Sequence, residues 1–354
     1  MPPRPGRGRV AKRRAARLDG AAPREVPLAM TRVHVTVPAY NAAWSIGDTL
    51  RSIRAQSLTD YRVTVVDDGS TEEMGPVIAP LIADDERFRV IRQANGGLAA
   101  ARNRGLAEAT APYAAFVDSD DLWHPDFLAR LVEALEARRD APFAYCHSLR
   151  VDEANRLIPG ARWSYVPRHD LRGLLTLNTV GSGSAAVYRT EAIRAAGGYD
   201  TSLRERGAEG AEDWKLNLRL AARASPVLVP EYLAAYRLVA RSMSQGHPAR
   251  QLRAGRTVLE DLAREIDLPP EEVRHARTAM NGWLLEAFLR RREFGTVAAL
   301  LVESYLRNPL WFRARELRSI HAMKVRSRLA DRGERMHLAD LEEAEGRRPF
   351  AFLR

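Results

Sequence analysis

Val35-Thr36-Val37-Pro38-Ala39-Tyr40-Asn41 and Val63-Thr64-Val65-Val66-Asp67-Asp68-Gly69-Ser70 are two short β-branched runs that each open into a polar loop. A helical pattern follows each: Trp44 to Ser57 places Ile46, Leu50 and Ile53 on one face, and Met74 to Ile82 is the second. The unit recurs as Phe88 to Ile91 with Leu98 to Ala107, and as Tyr113 to Val117 with Pro125 to Ala137. Strands alternating with helices at this spacing predict a parallel sheet with crossover helices on its faces. Ligands on such sheets bind beyond the carboxyl ends of the strands. Four loops lie there: Pro38-Ala39-Tyr40-Asn41, Asp67-Asp68-Gly69-Ser70, Asn95-Gly96-Gly97 and Asp118-Ser119-Asp120-Asp121.

Outward from this core the pattern changes. A strand is expected over Phe143 to Val151, another at Val227-Leu228-Val229, and a helix over Ala211 to Ala222, with the small-residue run Gly181 to Tyr188 between the first strand and the helix. From about Gln251 the chain reads as packed amphipathic helices. Residues 1–30, rich in Pro, Gly, Arg and Ala, cannot offset the entropy of ordering and read as a disordered basic arm. Met30 directly precedes the first strand-like run and is a candidate start of translation.

The 354 residues, 45% of them hydrophobic, suffice for one large domain with an appendage. A single cysteine, Cys146, excludes an intramolecular disulfide or a cysteine-rich zinc site, which points to a reducing, cytoplasmic setting. Apolar runs such as Val297 to Val302 are far too short to span a bilayer, and the amino terminus lacks a secretory apolar core. The net charge of +10 sits in the tails, leaving residues 30–249 close to neutral. A nucleic-acid partner is therefore not expected, because no basic-aromatic interleaving accompanies the charge.

Asp118, Asp120 and Asp121 crowd the end of the apolar strand that closes with Phe116-Val117. A hard divalent cation, Mg²⁺ or Mn²⁺, would convert their repulsion into binding of diphosphate oxygens. Taken alone, the cluster reads equally well as a solvated helix start. Asp67-Asp68-Gly69-Ser70 is by itself an Asp/Gly turn. Two acidic strand ends with Tyr40 at a third make a cleft in which an aromatic ring can stack on a base while an Asp accepts its N–H. The glycines of Asn95-Gly96-Gly97 allow close approach to phosphate. Arg102 either reaches a diphosphate or faces solvent. Glu212-Asp213 offers a carboxylate for general-base work on an acceptor hydroxyl, or merely complements a helix dipole.

In order and spacing, Val35 to Asn41, Val65 to Thr71, Asn95-Gly96-Gly97 through Arg102-Asn103, Phe116 to Asp121 and Glu212-Asp213-Trp214 resemble the family 2 inverting glycosyltransferases. The resemblance implies the nucleotide-diphosphosugar transferase α/β fold called GT-A: a Rossmann-like, mostly parallel sheet flanked by helices over residues 31–250, followed here by a helical C-terminal region, 251–354. It places Tyr40 and Asp68 on the nucleobase, with Pro38 lining that pocket and Asn41 and Asp67 nearby. Asn95, Gly96, Gly97 and Arg102 are donor-binding on this reading. Asp120 and Asp121 hold ribose and metal, Asp118 supports the metal, Asp213 is the catalytic base and Glu212 assists acceptor binding. Gly197-Gly198-Tyr199-Asp200 and Tyr236-Arg237 with Ser242 and Ser244 are weaker matches.

The implied reaction is single displacement with inversion, from a nucleotide diphosphate sugar to an acceptor hydroxyl of a glycolipid, cell-wall or surface-polysaccharide precursor. The Gln-x-x-Arg-Trp motif of processive relatives is missing, which favours single-sugar addition. The alternatives are a sugar nucleotidyltransferase or a sugar-nucleotide-binding protein of the same fold without transferase activity. In the C-terminal region, aromatics such as Trp283, Phe288, Trp311 and Phe312 lie among Arg290, Arg291, Arg292, Arg313, Arg315 and Arg318. They form a packed helical subdomain or a peripheral contact with the inner face of the membrane, beside a lipid-linked acceptor.

Overall fold

The structure, a computed structural model, describes residues 31–163, 168–239, 248–309, 336–340 and 350–353. The basic arm, Ser242, Ser244, Trp311, Phe312, Arg313, Arg315 and Arg318 lie outside these residues.

The four expected β-α units are present. They are β1 (Val33–Ala39) with α1 (Ile46–Arg54), β2 (Tyr61–Asp67) with α2 (Gly75–Ile82), β3 (Phe88–Arg92) with α3 (Leu98–Ala107), and β4 (Tyr113–Phe116) with α4 (Phe127–Ala137). Strands β1 to β4 pair in parallel in the order β3-β2-β1-β4. Every residue of β1 is buried, as expected where helices cover both faces of a parallel sheet and leave no solvent side to alternate towards. His34 and Thr36 are its polar residues; His34 Nε2 lies 3.0 Å from Thr64 Oγ1, and burial holds the imidazole down to about 4, so it is neutral.

Beyond β4 the sheet turns mixed. Strands β5 (Leu122–Trp123), β6 (Phe143–Val151), β7 (Leu157–Trp163), β8 (Ala186–Arg189) and β9 (Val227–Arg237) complete one sheet, in which β8 runs antiparallel to both β4 and β6. Strand β9 is longer than the expected Val227 to Val229. Pro230 and Glu231 interrupt its apolar run, but register shifts against β6 around His147 absorb them and pairing continues to Arg237. The two-residue β5, not expected from the sequence, exists because β9 extends far enough to pair with it.

The connecting helices are α5 (Leu171–Thr176), α6 (Thr190–Ala195), α7 (Ser202–Glu205) and α8 (Glu212–Ala221), followed by α9 (Pro248–Glu265), α10 (Pro270–Arg290) and α11 (Phe294–Arg307). Pro270 opens α10, where a missing N–H costs nothing. The C-terminal helices pack into the same compact unit as the sheet. Their attachment is ionic as well as apolar. The buried Lys215 Nζ of α8 lies 2.6 Å from Asp200 Oδ2, 2.6 Å from Asp261 Oδ2 and 3.2 Å from Glu265 Oε1, the last two on α9. Arg206 and Arg219 close the same cluster from outside. Among the described residues no helix is long and apolar enough to cross a membrane.

Candidate active site

The acidic end of β4 is held from three sides. The Ser184 hydroxyl donates to Asp121 Oδ2 at 2.6 Å and accepts from the Asp118 N–H at 3.0 Å. The Arg237 N–H donates to Asp121 Oδ1 at 3.0 Å, so both oxygens of Asp121 are engaged. From α1, Thr49 donates to the Asp121 carbonyl and Ser45 to that of Ser119. Asp121 is 0% exposed, and burial, then Asp120 and Asp118, push its carboxyl well above the usual carboxylate range. Asp118 and Asp120 remain half-buried beside it.

Arg102 binds this end to the second acidic motif. Its Nη2 lies 2.6 Å from Asp118 Oδ1 and its Nη1 2.9 Å from Glu212 Oε1. The guanidinium is fully buried, with its carbon 5.3 Å from the Tyr199 ring centroid, and it does not face solvent. Burial lowers its pKa, but Asp118, Tyr199 and Glu212 outweigh that and raise it. Gly183 makes the room: a Cβ there would lie 2.6 Å from Arg102 Nη2. Glu212 is spent on this contact and on the Gly210 N–H, which its Oε2 accepts at 2.8 Å.

The loops after β1, β2 and β3 are laced together. Asp68 accepts from the Gly96 N–H at 2.9 Å, the Gly97 N–H at 2.8 Å and Gln93 Nε2 at 2.7 Å. Asn95 Nδ2 returns a bond to the Asp68 carbonyl. Gly97, at φ 88°, has the left-handed backbone that lets α3 start there. Asp67 caps the turn by accepting from the Ser70 N–H at 2.8 Å and pairs with Arg92 at 3.0 Å. Asn41 Oδ1 accepts from the Thr71 N–H, and the Asn41 N–H donates to Ser70 Oγ. Pro38 is buried within β1, whereas Tyr40 is 51% exposed at the rim with Trp44 close by in the same loop.

At the start of α8, burial and then the Glu212 carboxylate push the Asp213 carboxyl up to about 7, with Arg102 pulling it back. Asp213 and Trp214 line a cavity of about 620 Å³ whose other walls come from β6, β9, α9 and α10. The structure thus gathers Asp118, Glu212 and Asp213 around the buried Arg102 guanidinium, with Asp120 and Asp121 beside Asp118, and brings Asp67, Asp68, Asn41, Asn95, Gly96 and Gly97 into one loop cluster. Ser184 was not singled out from the sequence, because a serine in a small-residue run carries no pattern of its own. Arg237 was only a weak match. It lies buried with Nη2 2.7 Å from Asn155 Oδ1 and 3.1 Å from Asp48 Oδ2.

Among the described residues no group of three or more His, Cys, Asp or Glu side chains is gathered for a metal. The residues still fit a divalent cation that completes its shell on a ligand, which needs only one or two carboxylates. Burial, then the neighbouring Asp120 and Asp118 carboxylates, raise the proton affinity of Asp121.

This sheet, with an acidic strand end facing a second carboxylate helix, is the GT-A fold of glycosyltransferases. The fold of S. aureus TarS, solved as residues 1–349 in complex with UDP-GlcNAc, is similar: TM-score 0.58 and 18% identity over 90% of this chain and 93% of that one. A mannosyltransferase from Pyrobaculum calidifontis, in complex with GDP-Man and Mn²⁺, matches at TM-score 0.52 and 20% identity over 85% of this chain and 88% of that one. Residues 34–197 match the model of glycosyl transferase family 2. TuaG of Bacillus subtilis, a putative teichuronic acid biosynthesis glycosyltransferase, is 38% identical over 107 residues, 30% of this chain and 42% of TuaG. Several curated relatives are matched over only 25% to 33% of their own length.

Proposed function

We propose that the chain is an enzyme that transfers one sugar per encounter, with inversion, from a nucleotide diphosphate sugar to an acceptor hydroxyl. The observation that carries this reading is Asp213. Its carboxyl is poised at about 7 where α8 meets a cavity, and Arg102 ties its helix to the acidic end of β4. Asp213 takes the acceptor proton and the oxygen attacks the anomeric carbon. The bond to the diphosphate breaks with its electron pair passing to the phosphate oxygen. Donor contacts are assigned to Tyr40 against the base, Pro38, Asn41, Asp67 and Asp68 around it, and Asn95, Gly96 and Gly97 beside the phosphates. Arg102 serves them by holding Asp118 in place, and Glu212 supports Asp213 next to the acceptor.

A divalent cation, Mn²⁺ or Mg²⁺, held by Asp118 and Asp120 with Asp121 behind them, would supply positive charge opposite the diphosphate. The similar folds that carry UDP-GlcNAc, or GDP-Man with Mn²⁺, support a nucleotide sugar and a metal here. TuaG supports a role in cell-wall or surface-polysaccharide synthesis, and the single cysteine, Cys146, is what favours the cytoplasmic side. We assign α11 the peripheral contact with an anionic inner leaflet, and hence a lipid-linked acceptor. Its exposed Phe294, Leu301, Val302, Tyr305 and Leu306 repeat at helical spacing, with Arg290, Arg291 and Arg307 at its ends.

The test is calorimetry of UDP, GDP and dTDP with Mn²⁺ and then EDTA, followed by turnover of the matching nucleotide sugars by wild type and Asp213→Asn. One nucleotide should bind in a metal-linked manner, and Asp213→Asn should keep that binding while losing turnover. Metal-independent tight binding would remove the cation. An Asp213→Asn enzyme with most of its transfer rate would overturn the assignment of the base, and donor binding without turnover in wild type would favour a binding protein.

A further inference from the structure

The cavity beside Asp213 has walls from two parts of the chain. Helix α8 supplies Asp213 and Trp214, β6 supplies Ser148, the segment after α5 supplies Asn178, and α10 supplies Trp283. The Trp214 ring is fixed in place by its Nε1, which donates to the Leu174 carbonyl at 2.9 Å. Ser148 is only 4% exposed, and its hydroxyl has no hydrogen-bond partner among the described residues; the same holds for the Asn178 side-chain oxygen. Leaving such buried groups unpaired costs about 1–3 kcal/mol each, so a ligand that pairs them recovers that cost. At about 620 Å³ the space lies within the ~300–1,000 Å³ of sites that enclose whole ligands, and it is more than one sugar ring fills.

The chemistry of the walls selects the occupant. Charge is interspersed and paired, with Arg250 3.0 Å from Glu209 and Arg290 on Glu286, so no concentrated positive field awaits a polyanion. A hydrocarbon chain would leave the Ser148 and Asn178 oxygens unsatisfied. Two indole side chains set among hydroxyl, amide, carboxylate and guanidinium groups match a molecule with apolar C–H faces and a dense rim of hydroxyls.

We propose that this cavity binds the acceptor as a glycan of two or more sugar units, with sugar faces on Trp214 and Trp283 and hydroxyls on Ser148 and Asn178, and that Trp283 of α10 determines which glycan is accepted. The inference rests on the transferase reading and names its acceptor class. The C-terminal helices thereby become one wall of the acceptor site.

The experiment is calorimetry of the full chain with glucose, N-acetylglucosamine and mannose and with their di- and trisaccharides, alongside UDP and GDP in Mn²⁺. At least one trisaccharide should bind about tenfold more tightly than its monosaccharide. Trp283→Ala should weaken that binding by about threefold to tenfold, Trp283→Phe by less, with nucleotide binding unchanged. Ser148→Ala should weaken it without lowering the melting temperature, because that hydroxyl makes no internal bond. If no trisaccharide outbinds its monosaccharide, or if Trp283→Ala and Ser148→Ala both bind as wild type, the proposal is overturned. Nucleotide binding without glycan binding removes this inference alone, whereas glycan binding without nucleotide binding sinks the transferase reading and leaves a glycan site.

Discussion

Replacing Arg102 with methionine tests whether one buried cation holds the two acidic motifs together. Methionine keeps most of the volume and removes the charge, leaving Asp118 and Glu212 facing each other without the group that lies 2.6 Å and 2.9 Å from them. Breaking a buried pair from one side costs about 3–5 kcal/mol, because an uncompensated buried charge remains. With an unfolding entropy of about 2.1 cal/mol/K per residue over roughly 320 residues, that corresponds to a fall of about 4–7 °C in melting temperature at pH 8. At pH 5 the fall should be smaller, since an unpaired carboxylate can take up a proton there. Adding Glu212→Gln should recover part of the loss at pH 8, giving a coupling energy in a double-mutant cycle. Calorimetric melts of the four proteins at the two pH values decide the matter. A drop equal at pH 5 and pH 8, with no coupling to Glu212, would show that Arg102 acts by packing alone and would refute the electrostatic argument.

Other expectations follow from the same geometry. Asp213 must be deprotonated to act, so kcat/KM should fall about tenfold per pH unit below about 7 and level off above it; a profile flat down to pH 5 would contradict the assignment. A raised carboxyl favours the protonated native state, and that benefit is lost as pH rises through about 7. Asp213→Asn should therefore melt higher than wild type at pH 8, with the gap closing at low pH. Lys215→Met leaves Asp200, Asp261 and Glu265 without their shared cation and should cost about 3–5 kcal/mol. Limited proteolysis should then cut between α8 and α9 sooner than in wild type, and an unchanged digestion pattern would show that apolar packing alone holds α9.

The β-α alternation and the acidic strand ends were legible because both depend on local order: β-branched runs, helical spacing, and loops rich in Asp and Gly at the carboxyl ends of parallel strands. Helix α3 falls on the expected residues and β6 likewise, since each is bounded by a turn that its own sequence supplies. The long β9 and the short β5 were not legible. Their existence depends on pairing with partners from about 80 to more than 110 residues away, and β-bulges let Pro230 stay inside a strand.

The sequence by itself determined which residue types stand at which strand end, and therefore the resemblance to glycosyl transferase family 2 and the set of carboxylates available for chemistry. Only the tertiary structure decided what each is paired with: Arg102 buried between Asp118 and Glu212, Asp68 taken up by the Gly96 and Gly97 amides, Asp121 closed off by Ser184 and Arg237, and Asp213 left facing a cavity walled by the C-terminal helices. The physical reason is that the type of an ionisable side chain is local information. Its burial, its partners and hence its proton affinity are set by groups that the chain brings together from far apart.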